Sequence, residues 1–410
     1  LKEKIVSLQV PQSASSTSQH FAAQGPKKRT GNLLLGPQGF YEGPFQGLKV
    51  ITDYGGIKGQ TEETSNAEIT DRFSRVLSFT LHQRDPVKEP PQGFLARVQH
   101  WFKTLWDKLT KAFRPPEDIF GLKLAPWTAK KHPLGILPVN SISDVPGGNA
   151  DFVALSLLRL GGSEKNQRIF IHVVDPGVGI EDDGSHDRTI LVTKEHGIYI
   201  GPNNGSLGLL YLRLLNEGDP PKLYQIDVEA LELLERKRLN NPTYRIPPTF
   251  HGRDIFAVAA GLIAGGVDPA ALAVRDDRNN PVQIKPKMLP FAKIAKLPKK
   301  GETTTVYALQ DNTFGNLKLN VQLSDLEYSF YRQGGRRFQV RKPGSDEWLD
   351  LPLKQKFNDV PKGELLLYHG SSGGVLPGTR FLEIAANLDF AAKKLGISDT
   401  EAQPLEIRCI

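Results

Sequence analysis

Cysteine is almost absent from this sequence: Cys409 is the only one in 410 residues, and Met288 is the only methionine. A single thiol excludes an intrachain disulfide framework and any multi-cysteine metal site, and it leaves the redox compartment open. No apolar run approaches the ~20 residues that a membrane-crossing helix requires. Also missing are G-x-G-x-x-G, a phosphate loop ending Gly-Lys-Ser/Thr and H-E-x-x-H, so the common dinucleotide, nucleotide and zinc-protease signatures are excluded. An excess of one charge is missing too. Lys and Arg total 52 against 45 Asp and Glu, a net charge of +7 that admits an anionic partner but no uniformly basic nucleic-acid binder. The nine histidines are scattered, and Asp182, Asp183, His186 and Asp187 read as a solvated loop, so no metal site is expected. The sequence opens at Leu1 and not at a methionine; export is therefore an open expectation beside a cytoplasmic location.

What is present fits a soluble globular protein of two or three domains, with 39% hydrophobic and 24% charged residues. Residues 1–46 are rich in Ser, Gln, Gly and Pro and read as an irregular arm. Residues 47–284 carry the strand and helix patterns of an α/β domain, interrupted by a change of character over 71–138. Inside that interruption, Leu95, Val98, Phe102, Leu105, Leu109 and Phe113 recur at helical spacing among Arg97, Lys103, Lys108, Lys111 and Arg114, with Trp101 and Trp106 on the flanks. Such a basic amphipathic helix, within residues 94–114, packs on its own domain or a neighbouring subunit, or lies as a peripheral contact on a membrane or partner. Residues 285–300 hold six lysines and three prolines and read as a linker to a third region, 301–410.

The chain is organised around residues 249–266, T-F-H-G-R-D-I-F-A-V-A-A-G-L-I-A-G-G. Ile255 to Ala264 has the composition of a buried helix, with Asp254 where an N-cap would satisfy the first free amides. His251, Gly252 and Arg253 then fall in the turn before a helix N-terminus, where negative charge is favoured and glycine lets a ligand approach the backbone. These residues alone leave a structural role for His251 open beside a chemical one. Upstream, L-K-V-I-T-D at 48–53 reads as a strand delivering Asp53 to the carboxyl edge of a sheet, either to accept from both hydroxyls of a ribose or to cap the next turn. The β-branched run from Arg168 delivers Asp175 to the same edge, as a buried parallel strand does. A second strand starts at Arg188, and a third, from Ile198, ends in the turn residues Asn203, Asn204 and Gly205.

The order of I-T-D-Y-G around Asp53, V-V-D-P-G-V-G at 173–179, G-P-N-N-G at 201–205 and T-F-H-G-R-D-I-F at 249–256 resembles the S-adenosylmethionine (SAM) hydroxide adenosyltransferases. That family is the hydrolytic branch of the superfamily of SAM-dependent fluorinases and chlorinases. Asp311-Asn-Thr-Phe-Gly-Asn316 is similar to its D-x-F-G-N-L turn, and Phe381-Leu-Glu-Ile-Ala-Ala-Asn387 to its late L-E-I-A strand. The resemblance covers residues 48–70 and 139–408 and leaves out the arm and the 71–138 insertion. It implies an α/β fold: an N-terminal α/β domain with a central, mostly parallel sheet that binds SAM, plus a smaller β-barrel-like C-terminal domain. A homotrimer with active sites between subunits is implied as well.

SAM would be the substrate and no cofactor would be required. The family's catalytic trio maps onto Asp175, Arg188 and His251, with Asp175 and His251 orienting a water and taking its proton while Arg188 stabilises hydroxide character. Asp53, Asn203, Asn204, Asp254, Phe314, Asn316, Phe381, Glu383 and Ala385 fall at substrate-binding positions: Asp53 for the ribose, Asn316 for the methionine part, and the 381–387 strand for adenine, largely through its backbone. The halogenases depart from the pattern at Asp175 and lack His251, so water is favoured over halide. A non-catalytic SAM- or adenosine-binding module attached through the insertion helix is the alternative from another class. Departures from the family are Asn203 where the hydrolases commonly carry Asp, a longer excursion before Arg188, and G-G-I-K-G-Q after Tyr54.

Overall fold

The computed structural model describes residues 48–51, 61–84, 118–119, 122–123, 139–142, 150–161, 168–174, 188–310, 314–397 and 401–410. In the N-terminal half the elements run β1 (Leu48–Ile51), α1 (Thr61–Arg84), the two-residue strands β2 (Asp118–Ile119) and β3 (Leu122–Lys123), β4 (Val139–Ile142), α2 (Ala150–Gly161) and β5 (Ile169–His172). They continue as β6 (Arg188–Val192), β7 (Ile198–Pro202), α3 (Gly208–Asn216), β8 (Lys222–Gln225), α4 (Val228–Leu239), a π-helical turn at Gly252–Phe256 and α5 (Ala257–Ala264). Six strands form one sheet in the order β4-β1-β5-β7-β6-β8. Its first four are parallel, and β6 runs antiparallel to both neighbours.

Helix α5 has no polar face; all eight of its residues are buried. Its small side chains let α1 come close: a Cβ on Gly261 would lie 2.8 Å from Val76 Cβ, and one on Gly265 would strike Thr80. Ile69, Phe73, Val76 and Leu77 of α1 thereby enter the same core as α5 and the sheet. This corrects the sequence reading at one boundary. Residues 71–84, counted there with the insertion, are the second half of a core helix. The amphipathic stretch at 94–114 and the arm at 1–46 lie outside the described residues.

The C-terminal half is built on one seven-stranded antiparallel sheet ordered β12-β11-β15-β9-β10-β14-β13. The strands are β9 (Thr303–Gln310), β10 (Leu317–Ser324), β11 (Arg337–Arg341), β12 (Leu349–Pro352), β13 (Leu365–Gly373), β14 (Thr379–Ala386) and β15 (Gln403–Cys409). Helices α6 (Asp325–Gln333) and α7 (Ala391–Leu395) complete it. The sheet curls until its two edges touch, where Leu353 bridges Leu367 and Lys354 N–H donates to Leu367 C=O at 2.9 Å. Between the halves, residues 285–300 keep all six lysines exposed and turn Phe291, Ala292 and Leu297 inward. Phe291 is wholly buried in a cluster that joins Leu155 and Leu158 of α2 to Phe381 of β14, so the two halves share an apolar seam.

Candidate active site

Strand register decides what meets at the carboxyl edge of the parallel strands. Ile51 of β1 pairs with His172 of β5, and the described chain continues from there only to Val174. Because β6 is antiparallel to β7, its first residue, Arg188, pairs with the last residue of β7, Pro202. Arg188 therefore stands at the same edge as Asn203 and Asn204. His251 arrives from the other side, at the start of the π-helical turn, and its Nε2 lies 3.3 Å from Arg188 Nη2. A guanidinium can only donate, so as a hydrogen bond this contact uses the Nε2 lone pair of His251.

The two asparagines brace this edge. Asn204 donates to Val174 C=O at 2.5 Å and accepts from Ser206 N–H at 3.2 Å. Asn203 donates to Lys285 C=O at 3.2 Å and accepts from Lys287 N–H at 2.9 Å, gripping the segment that leads to the C-terminal half. Beneath them His172 is fully buried, with Nδ1 3.3 Å from Ser206 Oγ, and burial pushes its pKa down to about 3. Gly252 is needed here: a Cβ would sit 2.7 Å from Val173 Cγ1, so only glycine lets the His251 turn lie against the end of β5.

The turn itself is held by charge. Asp254, 3% exposed, accepts from Arg253 Nε at 3.0 Å and Nη2 at 2.7 Å, and Arg253 Nη1 also reaches Glu68 of α1 at 2.7 Å. Arg253 lies over the Phe250 ring at 4.7 Å, and its guanidinium is held above its usual pKa range, first by the hydrogen bond to Asp254. Arg72 of α1 stands 3.9 Å from Asp254 and bridges to buried Glu235 of α4 at 2.5 Å and to the Tyr244 hydroxyl at 3.0 Å. One expectation changes accordingly. Asp254 is not an N-cap, since its own N–H already bonds Phe250 C=O at 3.0 Å inside the first turn. Both oxygens of its carboxylate accept from Arg253.

A second polar group lies in the C-terminal half, around a cavity of about 350 Å³. Phe314, Asn316 and Glu383 line it, as do Arg159 of α2, Tyr368, Ser371 and Ser372. Phe314 is 74% exposed at its rim. Neither Phe381 nor Ala385 lines it: both side chains are buried, and their strand β14 is paired on one side with β10 and on the other with β13. In the ladders Phe381 pairs with Gln322 of β10 and Ala385 with Leu366 of β13, and the register shifts in both ladders close to Phe381. Among the described residues no three His, Cys, Asp or Glu gather as metal ligands.

Residues 142–273 match the SAM hydroxide adenosyltransferase N-terminal domain, and residues 308–402 match the C-terminal domain of the same family. The chain belongs to that family. Similar proteins include an (R)-S-adenosyl-L-methionine hydrolase of Thermus thermophilus, 29% identical over 243 residues, covering 56% of this chain and 72% of the relative. Another of that name, from Salinispora tropica, is 29% identical over 230 residues and covers 56% of this chain and 71% of the relative. An uncharacterized conserved protein from Thermotoga maritima, of known crystal structure, aligns with 88% of this chain and 99% of its own at 20% identity and a TM-score of 0.47.

Within this SAM hydroxide adenosyltransferase, the structure brings Arg188, His251, Asn203 and Asn204 to one edge and Phe314, Asn316 and Glu383 to one cavity. Asp53 and Asp175 lie outside the described residues. Sequence reasoning missed Tyr368, Ser371 and Ser372, although the G-S-S-G run at 370–373 was a visible break in an apolar strand.

Proposed function

We propose that the protein hydrolyses S-adenosyl-L-methionine to adenosine and methionine by attack of water at the ribose 5′ carbon. The C5′–S bond breaks with its electron pair going to sulfur, which leaves as a neutral thioether and needs no acid. The new C5′–O bond comes from a water that must lose a proton, and a positioned base typically contributes ~10²- to 10⁴-fold to such a step. The observation that carries this reading is the Arg188–His251 pair, drawn from positions 63 residues apart to the carboxyl edge of the sheet. Asp175 and His251 orient the water and take its proton, and Arg188 stabilises hydroxide character electrostatically. Asp53 holds the ribose. The chemistry requires no metal or cofactor.

The assembly we propose is a homotrimer in which the carboxyl edge of one subunit faces the cavity of the next. Neither Arg188 nor His251 lines the cavity, and Phe314, Leu388 and Phe390 leave 74%, 80% and 50% of their surfaces exposed. Chromatography of reactions with SAM should show equal adenosine and methionine, with heavy oxygen from labelled water in the adenosine 5′ hydroxyl. His251→Ala and Asp175→Ala should abolish both products. SAM binding without turnover, with or without chloride or fluoride, would instead favour a binding module; halogenated nucleoside would favour the halogenase. Mixing inactive His251→Ala and Asn316→Ala subunits should restore activity if the sites are shared.

A further inference from the structure

Strand β10 carries Lys318 in a stretch where Leu317 to Leu323 are all buried, and the lysine is 0% exposed. A buried ammonium is expensive, and an apolar pair of similar volume usually serves stability as well or better. Lys318 is nevertheless fully engaged. Its Nζ donates to Ser372 Oγ at 2.9 Å and to Glu383 Oε1, and it lies 5.8 Å from the Phe381 ring centre. The second oxygen of Glu383 accepts from the Tyr368 hydroxyl, which in turn accepts from Asn316 Nδ2 at 3.3 Å. Strand β13 gives up a side chain to make room, since a Cβ on Gly370 would strike Glu383 Oε1. Ser372, Glu383, Tyr368 and Asn316 all line the cavity; Lys318 does not.

We infer that Lys318 is a positioning residue for the substrate cavity, resting on the proposed SAM hydrolysis for its functional consequence. Every donor in the chain has a fixed direction: Asn316 to Tyr368, Tyr368 to Glu383, and Lys318 to both Glu383 and Ser372. With its oxygen already accepting from Lys318, the Ser372 hydroxyl turns its proton toward the cavity, and Asn316 presents its carbonyl oxygen there. One side chain behind the wall thus sets which wall atoms give and which take hydrogen bonds. The cavity accordingly suits a ligand group that carries an acceptor and a donor side by side.

The test compares wild type with Lys318→Met and with Lys318→Met/Glu383→Gln, the second removing both buried charges so that the fold is not left with a stranded carboxylate. A charged hydrogen bond removed from a binding wall should lower kcat/KM for SAM by about 10- to 100-fold in both variants, carried mainly by KM. The thermal midpoint should drop in the single variant and recover in the double one. A folded double variant whose KM stays within about twofold of wild type would overturn the inference. A crystal structure of the double variant supplies the arm that needs no substrate. Tyr368 and Ser372 should leave their wild-type positions, and if both stay in place the inference is wrong whatever the enzyme hydrolyses. Displaced side chains in a protein whose wild type does not turn over SAM would uphold the positioning and overturn the hydrolase reading instead.

Discussion

Asparagine at position 254 separates a ligand-binding role for Asp254 from a structural one. The substitution keeps the shape of the side chain, removes its charge, and turns an N–H toward Arg253, which now donates to it at 3.0 and 2.7 Å. Removing one member of a buried ion pair costs about 3–5 kcal/mol, most of it from the partner left behind. Here the partners are not stranded. Arg253 keeps Glu68 and has 32% of its side chain in solvent, while Arg72 keeps Glu235 and Tyr244. The cost of Asp254→Asn should therefore fall to about 2 kcal/mol, which for a domain of this size lowers the thermal midpoint by about 4–8 °C. The turn that carries His251 loosens with it, and misplacement of a catalytic group is felt in turnover, so kcat should fall by about tenfold or more with KM nearly constant. Calorimetry and steady-state kinetics on the same preparation read both effects. An unchanged midpoint together with a raised KM and normal kcat would refute the argument and return Asp254 to the substrate contacts.

Three further outcomes follow from burial. His172 titrates at about 3 inside the fold against 6.5 outside it, so the unfolded chain takes up the proton first; stability should hold above pH 6.5 and fall by roughly 1 kcal/mol per pH unit toward pH 3, and His172→Asn should flatten that slope in denaturant titrations. Asp151 at the start of α2 behaves oppositely: burial raises it from 3.8 to about 6, so its contribution is lost as pH rises through that window, and Asp151→Asn should be more stable than wild type at pH 7 by about 1–2 kcal/mol, with the gap closing near pH 4. Gly261→Ala should destabilise by about 1–3 kcal/mol in thermal melts, because its methyl group would meet Val76 Cβ at 2.8 Å and Phe73 C=O at 2.9 Å.

The strands were the most legible part of the sequence, and the reason is physical. Buried strands read as short, mostly apolar runs, so β1, β5 and the Arg188 start of β6 could be placed without coordinates. The meeting of Arg188 and His251 was legible only through the family resemblance, because nothing in either segment encodes the antiparallel turn-back that sets Arg188 beside Pro202. Helix α1 did carry a signal: Ile69, Phe73, Val76, Leu77 and Thr80 form one helical face, obscured by the charged residues between them. In β10 the pattern misleads. L-K-L-N-V-Q-L alternates as a half-exposed strand would, yet Lys318, Asn320 and Gln322 are all buried. Asn320 is covered by the segment at Lys293, to whose carbonyl it donates at 2.5 Å, and Gln322 accepts from Leu376 N–H at 3.1 Å and Thr379 Oγ at 3.0 Å. An alternating strand reports which residues share a face; whether that face meets water depends on what distant chain crosses it.

The same reasoning gives Asn203 and Asn204 a part that ligand contact would not. These neighbours point to opposite tasks: Asn204 ties the chain at Val174, just before Asp175, to the edge of the sheet, and Asn203 ties the 285–287 backbone to that same edge. A few residues on, Leu289 packs where a Cβ on Gly205 would lie, and Phe291 enters the seam between the halves. Two adjacent carboxamides therefore fix the geometry around the proposed catalytic group and the departure of the chain toward the domain that carries the cavity. An asparagine suits this better than the aspartate common among the hydrolases, because each position both donates to a carbonyl and accepts from an N–H, and an ionised carboxylate can only accept. On this argument the departure at Asn203 is a change in how the two halves are held, and it leaves the groups proposed to activate water as they are.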